Sequence, residues 1–199
     1  IHLFPADGRN PDEWNKIDVK QLKHPCVGLI QGLNIWGKTK ELLVLKEVMI
    51  KLPDITFYLA GDGHNKNKII PKLEKYENFI WLGKLEYPKK IKEMFSSIDI
   101  FLLLSGLEGL GQTVIEAMLM KKPIIATKIG GIPEIIKDLE TGFLVDLGDS
   151  DKIIFQIREL LSNPELIAKI TKNATKDIQR FSWENIAIEF LSVIKREIK

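Results

Sequence analysis

Short apolar runs that alternate with segments of helical periodicity are the feature that most constrains how this chain can fold. Six runs are candidate strands: CVGLIQG (26–32), ITFYLAG (55–61), FIWLG (79–83), IDIFLLL (98–104), PIIAT (123–127) and TGFLV (141–145). Runs that are apolar on both faces are typical of a parallel sheet covered by helices. Between them, residues such as Leu42, Leu45 and Val48 recur at helical spacing. The alternation predicts βαβ units and a doubly wound, Rossmann-like α/β domain of about six strands.

After the sixth run the sequence predicts a helical C-terminal tail. Its three segments read SDKIIFQIRELLSN, PELIAKITKNATKDIQRF and SWENIAIEFLSVIKREIK. Each begins at a residue type that caps helices: Ser150, Asn163 before Pro164, and Ser182. We therefore expect three helices beyond the sheet.

Composition narrows the class of protein. The 199 residues are 45% hydrophobic, which suits one large domain with a sizeable core. A formal net charge of +2 lacks the basic excess of nucleic-acid-binding proteins, so no nucleic-acid partner is expected. Cys26 is the single cysteine, which excludes a disulfide framework and favours a reducing, cytoplasmic compartment. No apolar run approaches the roughly 20 residues that span a bilayer. The chain begins at Ile1, and we expect a segment upstream of it.

Glycine-bearing loops follow three of the candidate strands. They read QGLNIWGK after the first strand, AGDGHN after the second and SGLEGLGQT after the fourth. In doubly wound folds, ligands lie beyond the carboxyl ends of the strands, where glycine permits close backbone approach and helix N-termini attract phosphate. None of these loops has the spacing of a dinucleotide-binding or P-loop motif, so dehydrogenases and P-loop NTPases are not supported. The loops predict a phosphate-bearing ligand of another kind.

Two glutamates bracket the predicted start of one helix, near Gly111–Gln112. In SGLEGLGQTVIEAM, Glu108 precedes that start and Glu116 lies about one turn inside the helix. Each carboxylate can accept two hydrogen bonds from a vicinal diol, while helix amides between them bind phosphates. This arrangement suits a nucleotide-sugar. Two carboxylates could instead form the acid and nucleophile pair of a glycosidase. Phosphate-type loops on a doubly wound sheet favour the nucleotide-sugar over this alternative.

These motifs carry a resemblance to a known family. EGLGQTVIEAM resembles the E-x7-E motif of retaining glycosyltransferases with two Rossmann-like domains (the GT-B architecture), especially glycosyltransferase family 4. The segments FIWLGKL, SSIDIFLLLS, KKPIIATKIGGIPEIIKDLETGFLV and FSWE also fit that family. The resemblance covers residues 25–199 and implies a C-terminal domain that binds a UDP- or GDP-sugar without a protein-bound metal or other cofactor. It makes residues 1–24 an interdomain segment, although Pro5-Ala6-Asp7 departs from the family's Pro-Asn-Gly.

The resemblance also implies partners outside this chain. The acceptor, an unidentified sugar or lipid, would bind an N-terminal domain that the chain lacks. We expect a cytoplasmic protein, with peripheral association at the inner membrane face as the alternative.

Site residues follow from the resemblance by position. Lys38 and Glu108 are the candidate catalytic residues: Lys38 would stabilise the departing diphosphate, and Glu108 would meet hydroxyls of the donor sugar. Glu116 would hold the ribose. The remaining donor-binding residues would contribute mainly backbone contacts to the base, sugar and diphosphate: Gly32, Gly83, Lys84, Leu85, Gly109, Leu110, Gly111, Gln112, Thr113 and Val114.

One position departs from the family pattern. The family's first loop carries a Gly-Arg pair before the lysine; Gly32 and Lys38 match, but the arginine position reads Leu33. A missing guanidinium removes a bidentate phosphate partner. There are three explanations for the missing arginine. Lys40 or the absent domain supplies the second positive charge, the loop aligns with the family differently, or the activity is weak. Leu33 is thus the best sequence evidence for one rival, a non-catalytic nucleotide-sugar-binding module; a GT-B nucleotide-sugar epimerase is the other.

Three further side chains have simple interpretations. Trp81 lies in a candidate strand, where we expect a core residue. Trp36 precedes Lys38 and is equally suited to stacking on a donor or to closing the loop over the core. His24 has no ligand spacing that would indicate a metal site.

Overall fold

The computed structural model describes residues 10, 14 and 22–197. Their centre is a six-stranded, wholly parallel sheet in the order β3-β2-β1-β4-β5-β6. The strands are β1 (Cys26–Ile30), β2 (Thr56–Ala60), β3 (Phe79–Gly83), β4 (Ile100–Leu103), β5 (Ile124–Thr127) and β6 (Phe143–Val145). All six predicted strands are confirmed, although most are shorter than their apolar runs because the flanking residues turn out of the ladder.

Helices connect the strands and complete the chain. They are α1 (Trp36–Thr39), α2 (Leu45–Lys51), α3 (Lys66–Leu73), α4 (Lys89–Ser97), α5 (Gln112–Leu119), α6 (Ile132–Ile135), α7 (Ser150–Ser162), α8 (Pro164–Asp177) and α9 (Trp183–Glu197). Two 3₁₀ segments, Lys40–Val44 and Ile178–Phe181, lie between helices. Among the described residues, no helix combines the length and the apolar character that crossing a bilayer requires.

The sheet separates two apolar cores, as the predicted doubly wound fold requires. Alternate residues of β1 enter different cores: Val27 and Leu29 face one, whereas Cys26 and Ile30 face the other. Because β1 pairs with both β2 and β4, the strand order reverses beside it. Such a reversal opens a crevice at the carboxyl ends of the neighbouring strands.

Most of the predicted interdomain segment, including Pro5-Ala6-Asp7, lies outside the described residues. Trp14 is an exception. Its indole is 3% exposed and packs against Tyr87 and Phe95, with ring centroids 6.1 Å and 6.3 Å away. At least this residue of the segment 1–24 is therefore part of the second core.

The C-terminal helices begin close to the predicted caps. Asn163 caps α8, since its Oδ1 accepts a hydrogen bond from Leu166 N at 3.0 Å. The predicted cap Ser150 is wrong by one residue: Asp149 Oδ1 accepts from Lys152 N at 3.0 Å, and Ser150 is the first helical residue. The Ser150 hydroxyl instead donates to Glu47 at 2.7 Å.

Candidate functional site

A cavity of about 750 Å³ lies at the carboxyl end of the sheet. The ends of β1, β2 and β3 and the first turns of α3, α4 and α5 form its walls, through residues 30–32, 34, 60–64, 66–67, 84–85, 91 and 113. Of the predicted donor-binding residues, four line it: Gly32, Lys84, Leu85 and Thr113. The cavity therefore occupies the place that the glycine-bearing loops predicted.

Close backbone packing shapes the cavity rim. Leu33 N donates to Asp62 O at 3.0 Å, and Asn65 N donates to Leu33 O at 2.9 Å. Gly61 and Gly63 have positive φ angles, and a Cβ at Gly61 would lie 1.9 Å from the Gln31 carbonyl oxygen. Only glycine permits this approach at these backbone angles. The loops after β1 and β2 are thus held against each other by direct backbone contacts.

In the first loop, the Leu33 side chain does not face the cavity, whereas residue 32 does. Leu33 is fully buried in the core that β1 shares with β2, so its side chain points away from the cavity. Gly32 lines the cavity, and a Cβ built there meets no atom within 4 Å. The expectation that an arginine at position 33 could face the phosphates is therefore wrong, because that side chain would enter apolar packing.

Lys38 and Glu108 meet across two loops. Lys38 lies on α1, Glu108 lies in the connection from β4 to α5, and the Lys38 ammonium forms an ion pair with Glu108 Oε1. Their side chains are 23% and 8% exposed, so the pair is largely withdrawn from water. The approach needs Gly106, where a Cβ would lie 2.3 Å from the Gly37 carbonyl oxygen. The two residues predicted to be catalytic are therefore brought into direct contact.

Helix α5 begins where the sequence predicted. Gly111 precedes it with φ 74° and ψ 57°, a left-handed conformation, and Gln112 is the first helical residue. Thr113 in the first turn reaches the cavity wall, which directs the positive end of the helix dipole to the cavity. The predicted contact from the Val114 backbone is not supported, because Val114 N already donates to Gly111 O at 2.9 Å and its side chain is buried.

The segment KIGGIPE supports the loop that carries Glu108. Gly131 N donates to Gly109 O at 2.9 Å, and a Cβ at Gly130 would lie 1.9 Å from the Glu108 carbonyl oxygen. Gly130 also has a positive φ of 54°. The paired glycines therefore fix the backbone of residues 108–109, which sets the direction of the Glu108 side chain.

Glu116 lies one turn inside α5, on the other side of the helix start from the Lys38–Glu108 pair. It is 3% exposed, and the Tyr87 hydroxyl donates to its Oε1 at 3.2 Å. Glu116 is not among the residues that line the cavity. The Tyr87 side chain that contacts this carboxylate is itself 57% exposed.

Several cavity residues were not predicted from the sequence. Asp62 and Lys66 form an ion pair of 3.0 Å on the cavity wall. Hydrogen bonds from the Lys66 side chain and the Gly63 amide lower the pKa of Asp62. Their i,i+4 spacing at a helix start is a signal that could have identified the pair. Gln31, also on the wall, had no such signal.

Trp81 supports a loop, whereas Trp36 lies at the surface. The Trp81 indole N–H donates to Gly61 O at 2.8 Å and so holds the loop after β2; the residue is only partly buried, less than predicted. Trp36 is 42% exposed, and Lys68 Nζ lies 5.4 Å from its ring centroid. It therefore does not close the first loop over the core.

A different cluster lies at the opposite, amino end of the sheet. Ligand atoms of His24, Cys26 and Asp99 lie within 4.8 Å of one another among the described residues. Asp99 Oδ2 accepts a hydrogen bond from Cys26 N at 2.8 Å, and it also lies 2.8 Å from His24 Nδ1. These contacts join the starts of β1 and β4, so we assign the cluster a structural role. Burial raises the pKa of the Cys26 thiol to about 12.

Similarity to known proteins identifies the family of this chain. Residues 36–177 match the family Glycosyl transferases group 1. The chain belongs to this family. That confirms the predicted GT-B recognition and the Rossmann-like fold, while the narrower assignment to family 4 stays a prediction.

Individual relatives agree with the family. The chain is 34% identical over 150 residues to the sulfoquinovosyl transferase SQD2 of Arabidopsis thaliana, a match that spans 74% of this chain and 29% of the relative. Its structure is similar to the C-terminal domain of the group 1 glycosyl transferase LpcC of Francisella tularensis, with a TM-score of 0.72, 25% identity and coverage of 86% and 97% of the two chains. The chain spans less than half the length of the curated relatives it matches.

A further structural neighbour was solved with ligands. TarM from S. aureus, in complex with fondaparinux, alpha-GlcNAc-glycerol and UDP, aligns with a TM-score of 0.74 and 26% identity. The alignment covers 89% of this chain and 38% of TarM.

Substitution at residues 32 and 33 tests the placement of the first loop. Leu33→Arg should lower the free energy of unfolding by about 3 kcal/mol or more, because it buries a charge without a partner. Gly32→Arg, one residue away, should change it by less than about 1 kcal/mol, since its side chain enters open space. Urea denaturation of both variants is the measurement. An unchanged stability for Leu33→Arg would mean that residue 33 faces solvent.

The Cys26 thiol should be unreactive in the folded chain. With a pKa of about 12, only about one thiol in ten thousand is ionised at pH 8, whereas an unfolded thiol of pKa about 8.5 is substantially ionised. Ellman's reagent at pH 8 should therefore label the urea-unfolded chain at once and leave the native chain unlabelled over the same period. Equal labelling rates would contradict the burial of this side chain.

Proposed function

We propose that this chain is the nucleotide-sugar donor-binding domain of a retaining glycosyltransferase that transfers a sugar from a UDP- or GDP-sugar to an acceptor. The observation that carries the proposal is the contact between Lys38 and Glu108 beside the start of α5. It joins a cation suited to a diphosphate with a carboxylate suited to sugar hydroxyls. Membership of the group 1 family supports the reaction, and the UDP complex of TarM supports UDP as one nucleotide to test.

In the proposed reaction, cleavage of the donor builds negative charge on the departing nucleotide diphosphate. Lys38 and the first turn of α5 would stabilise that charge, and both are held in position before the ligand arrives. The ion pair with Glu108 fixes the ammonium, and the left-handed Gly111 fixes the helix start. Removing one such preorganised donor typically costs about 2.7–4 kcal/mol of activation free energy.

The two glutamates would serve different parts of the donor. Glu108, beside Lys38, would accept hydrogen bonds from hydroxyls of the transferred sugar, and Lys38 would contact the diphosphate from the position that the ion pair gives it. Glu116 would accept from the ribose hydroxyls, in exchange for the bond it now receives from Tyr87. The backbone of Gly83, Lys84 and Leu85 would contact the base.

The proposal includes no protein-bound metal. Lys66 and Lys84 line the cavity, Lys38 contacts Glu108 shortly before α5 begins, and the start of α5 adds a partial positive charge. These groups offer charge compensation to a diphosphate from the chain itself. We propose that the acceptor, a sugar or a lipid, binds a different domain, and that peripheral membrane association accompanies a lipid acceptor.

A non-catalytic nucleotide-sugar-binding module is the second candidate. One observation favours it: Gly32 leaves open the cavity position at which a longer basic side chain would meet phosphates. Such a module would bind the donor without transferring the sugar. Incubation of the full-length protein with donor and acceptor separates the two candidates, because only a transferase releases UDP or GDP with product.

Nucleotide binding tests the role of Lys38. Lys38→Ala should weaken UDP or GDP binding by tenfold or more and leave uridine or guanosine binding nearly unchanged, because only the phosphates lose a partner. Isothermal titration of the 199-residue chain, with and without EDTA, gives both affinities. Lys72→Ala removes an exposed charge at the far end of α3 and serves as the control. Loss of binding in EDTA would refute the metal-free proposal, and equal weakening by both variants would refute a specific phosphate contact.

Deoxynucleotides test the role of Glu116. Glu116→Ala should weaken UDP binding by about 1.5–3 kcal/mol, because a hydrogen bond to a charged group is lost. If that bond goes to the ribose 2′-hydroxyl, the parent chain should bind deoxy-UDP as weakly, and Glu116→Ala should cause little further loss with deoxy-UDP. Glu116→Gln, with its thermal midpoint, controls for the space that alanine leaves. Full additivity of the two losses would refute the ribose assignment.

A further inference from the structure

Gln31 is a buried polar side chain whose hydrogen bonds the described protein does not supply. It follows β1 directly, is 5% exposed and lines the cavity. Neither Nε2 nor Oε1 has a hydrogen-bond partner among the described residues. Buried polar atoms are nearly always paired, and an unpaired one costs about 1–3 kcal/mol. The carboxamide therefore calls for a partner from outside the described residues.

The backbone of Gln31 is fixed by its neighbours. Its amide N donates to Ala60 O at 3.1 Å, and its carbonyl oxygen lies against Gly61, where even a Cβ has no space. Two other polar groups on the cavity wall are already paired. Asn34 Oδ1 accepts from His64 N at 3.1 Å, and Asp62 pairs with Lys66. Gln31 differs from these residues in that both of its polar atoms remain available to a ligand.

The chemistry of a carboxamide restricts the ligand. Nε2 donates and Oε1 accepts, so a complete partner must both accept and donate. Phosphate oxygens accept only and would leave Oε1 unpaired. Hydroxyl groups do both, and so does the –CO–NH– edge of uracil or guanine.

Position favours hydroxyls over the base. Gln31 begins the same connection that carries Lys38, which contacts Glu108. The residues proposed to contact the base, Gly83–Leu85, follow β3, two strands from β1 in the sheet. Two strand spacings amount to roughly 10 Å. Glu108 follows β4, which adjoins β1, so by strand order the proposed sugar contact is closer to Gln31 than the proposed base contact, although Lys84 and Leu85 line the same cavity.

We propose that Gln31 is a specificity-determining residue that hydrogen-bonds hydroxyl groups of the transferred sugar through both atoms of its carboxamide. The proposal rests on the proposed donor-binding function and extends it to a residue outside the Lys38–Glu108 pair. Sugars that lack a hydroxyl at the contacted position would leave the buried carboxamide unpaired, which is how such a contact discriminates between donors.

Gln31→Leu tests the proposal by titration of the 199-residue chain with UDP, UDP-glucose, GDP and GDP-mannose. The measured quantity is the affinity gained when the sugar is attached to the nucleotide. Gln31→Leu should reduce that gain about three- to tenfold and leave UDP and GDP affinity within about twofold, since a neutral hydrogen bond contributes about 0.5–1.5 kcal/mol. Without ligand, the thermal midpoint should rise, because leucine of similar size removes an unpaired buried amide.

Gln156→Leu is the matched control. Gln156 is also 5% exposed, with an unpaired Oε1, but it lies on α7 and does not line the cavity. It should leave all four affinities unchanged. Equal losses for nucleotides and nucleotide-sugars in Gln31→Leu would assign the residue to the nucleotide and overturn the sugar contact. No gain from the sugar, or a gain that survives the substitution, would also overturn it while leaving nucleotide binding intact. A parent chain that binds neither UDP nor GDP would overturn the proposed function together with this inference.

Discussion

The burial of β1 between two parallel neighbours is the constraint on which the rest of the structure depends. Every residue of β1 is buried, and the strand pairs with β2 on one side and β4 on the other. Parallel pairing forces each connection to return to the opposite end of the sheet, so all the loops that leave carboxyl ends gather at one edge. Because the strand order reverses beside β1, the connection after β1, which carries Lys38, and the connection after β4, which leads to α5, lie on opposite sides of the crevice.

Close backbone contacts convert this topology into a defined site. Gly61 brings the loop after β2 onto the end of β1, Gly106 brings the loop after β4 onto α1, and Gly130 brings the loop after β5 onto Glu108. At each position a Cβ would lie 1.9–2.3 Å from a carbonyl oxygen of the other loop. Four strands are thereby linked through their loops, and the relative positions of Lys38 and Glu108 follow from backbone packing rather than from long side chains.

Sequence reasoning succeeded where a pattern extends over many residues. The six strands and the helix start at Gly111–Gln112 follow from apolar periodicity and from motifs that agree with one another. The direct contact between Lys38 and Glu108 was not predicted. It failed where one residue decides the outcome. Leu33 was placed at the phosphates because its neighbours Gly32 and Lys38 fit the family pattern, yet strand alternation continues past β1 and carries its side chain into the core. A shift of one position reverses the face of an extended chain.

Other features had no local signal. The hydroxyl of Tyr87 reaches Glu116 from a different connection, and the amide of Gln31 is enclosed by residues distant in the chain. A glutamine after an apolar run predicts a strand end and a solvent-exposed side chain. Its burial depends on the loop after β2, which Gly61 and Trp81 hold in place. Contacts of this kind are tertiary and become visible only once the loops are assembled.

The stability of the ligand-free chain does not explain two polar features near the carboxyl end of the sheet, the Lys38–Glu108 ion pair and the unpaired carboxamide of Gln31. A largely buried ion pair is generally no more stabilising than apolar residues of the same volume, because desolvation offsets the Coulomb attraction. An unpaired buried carboxamide is unfavourable outright. Neither Lys38–Glu108 nor Gln31 therefore adds to the stability of the free domain. Both features become favourable when a ligand supplies an anion to the ammonium and hydroxyls to the carboxylate and the amide. A ligand with that combination of groups is a sugar attached to a phosphate, which is why the costs at this edge and the proposed donor point to the same chemistry.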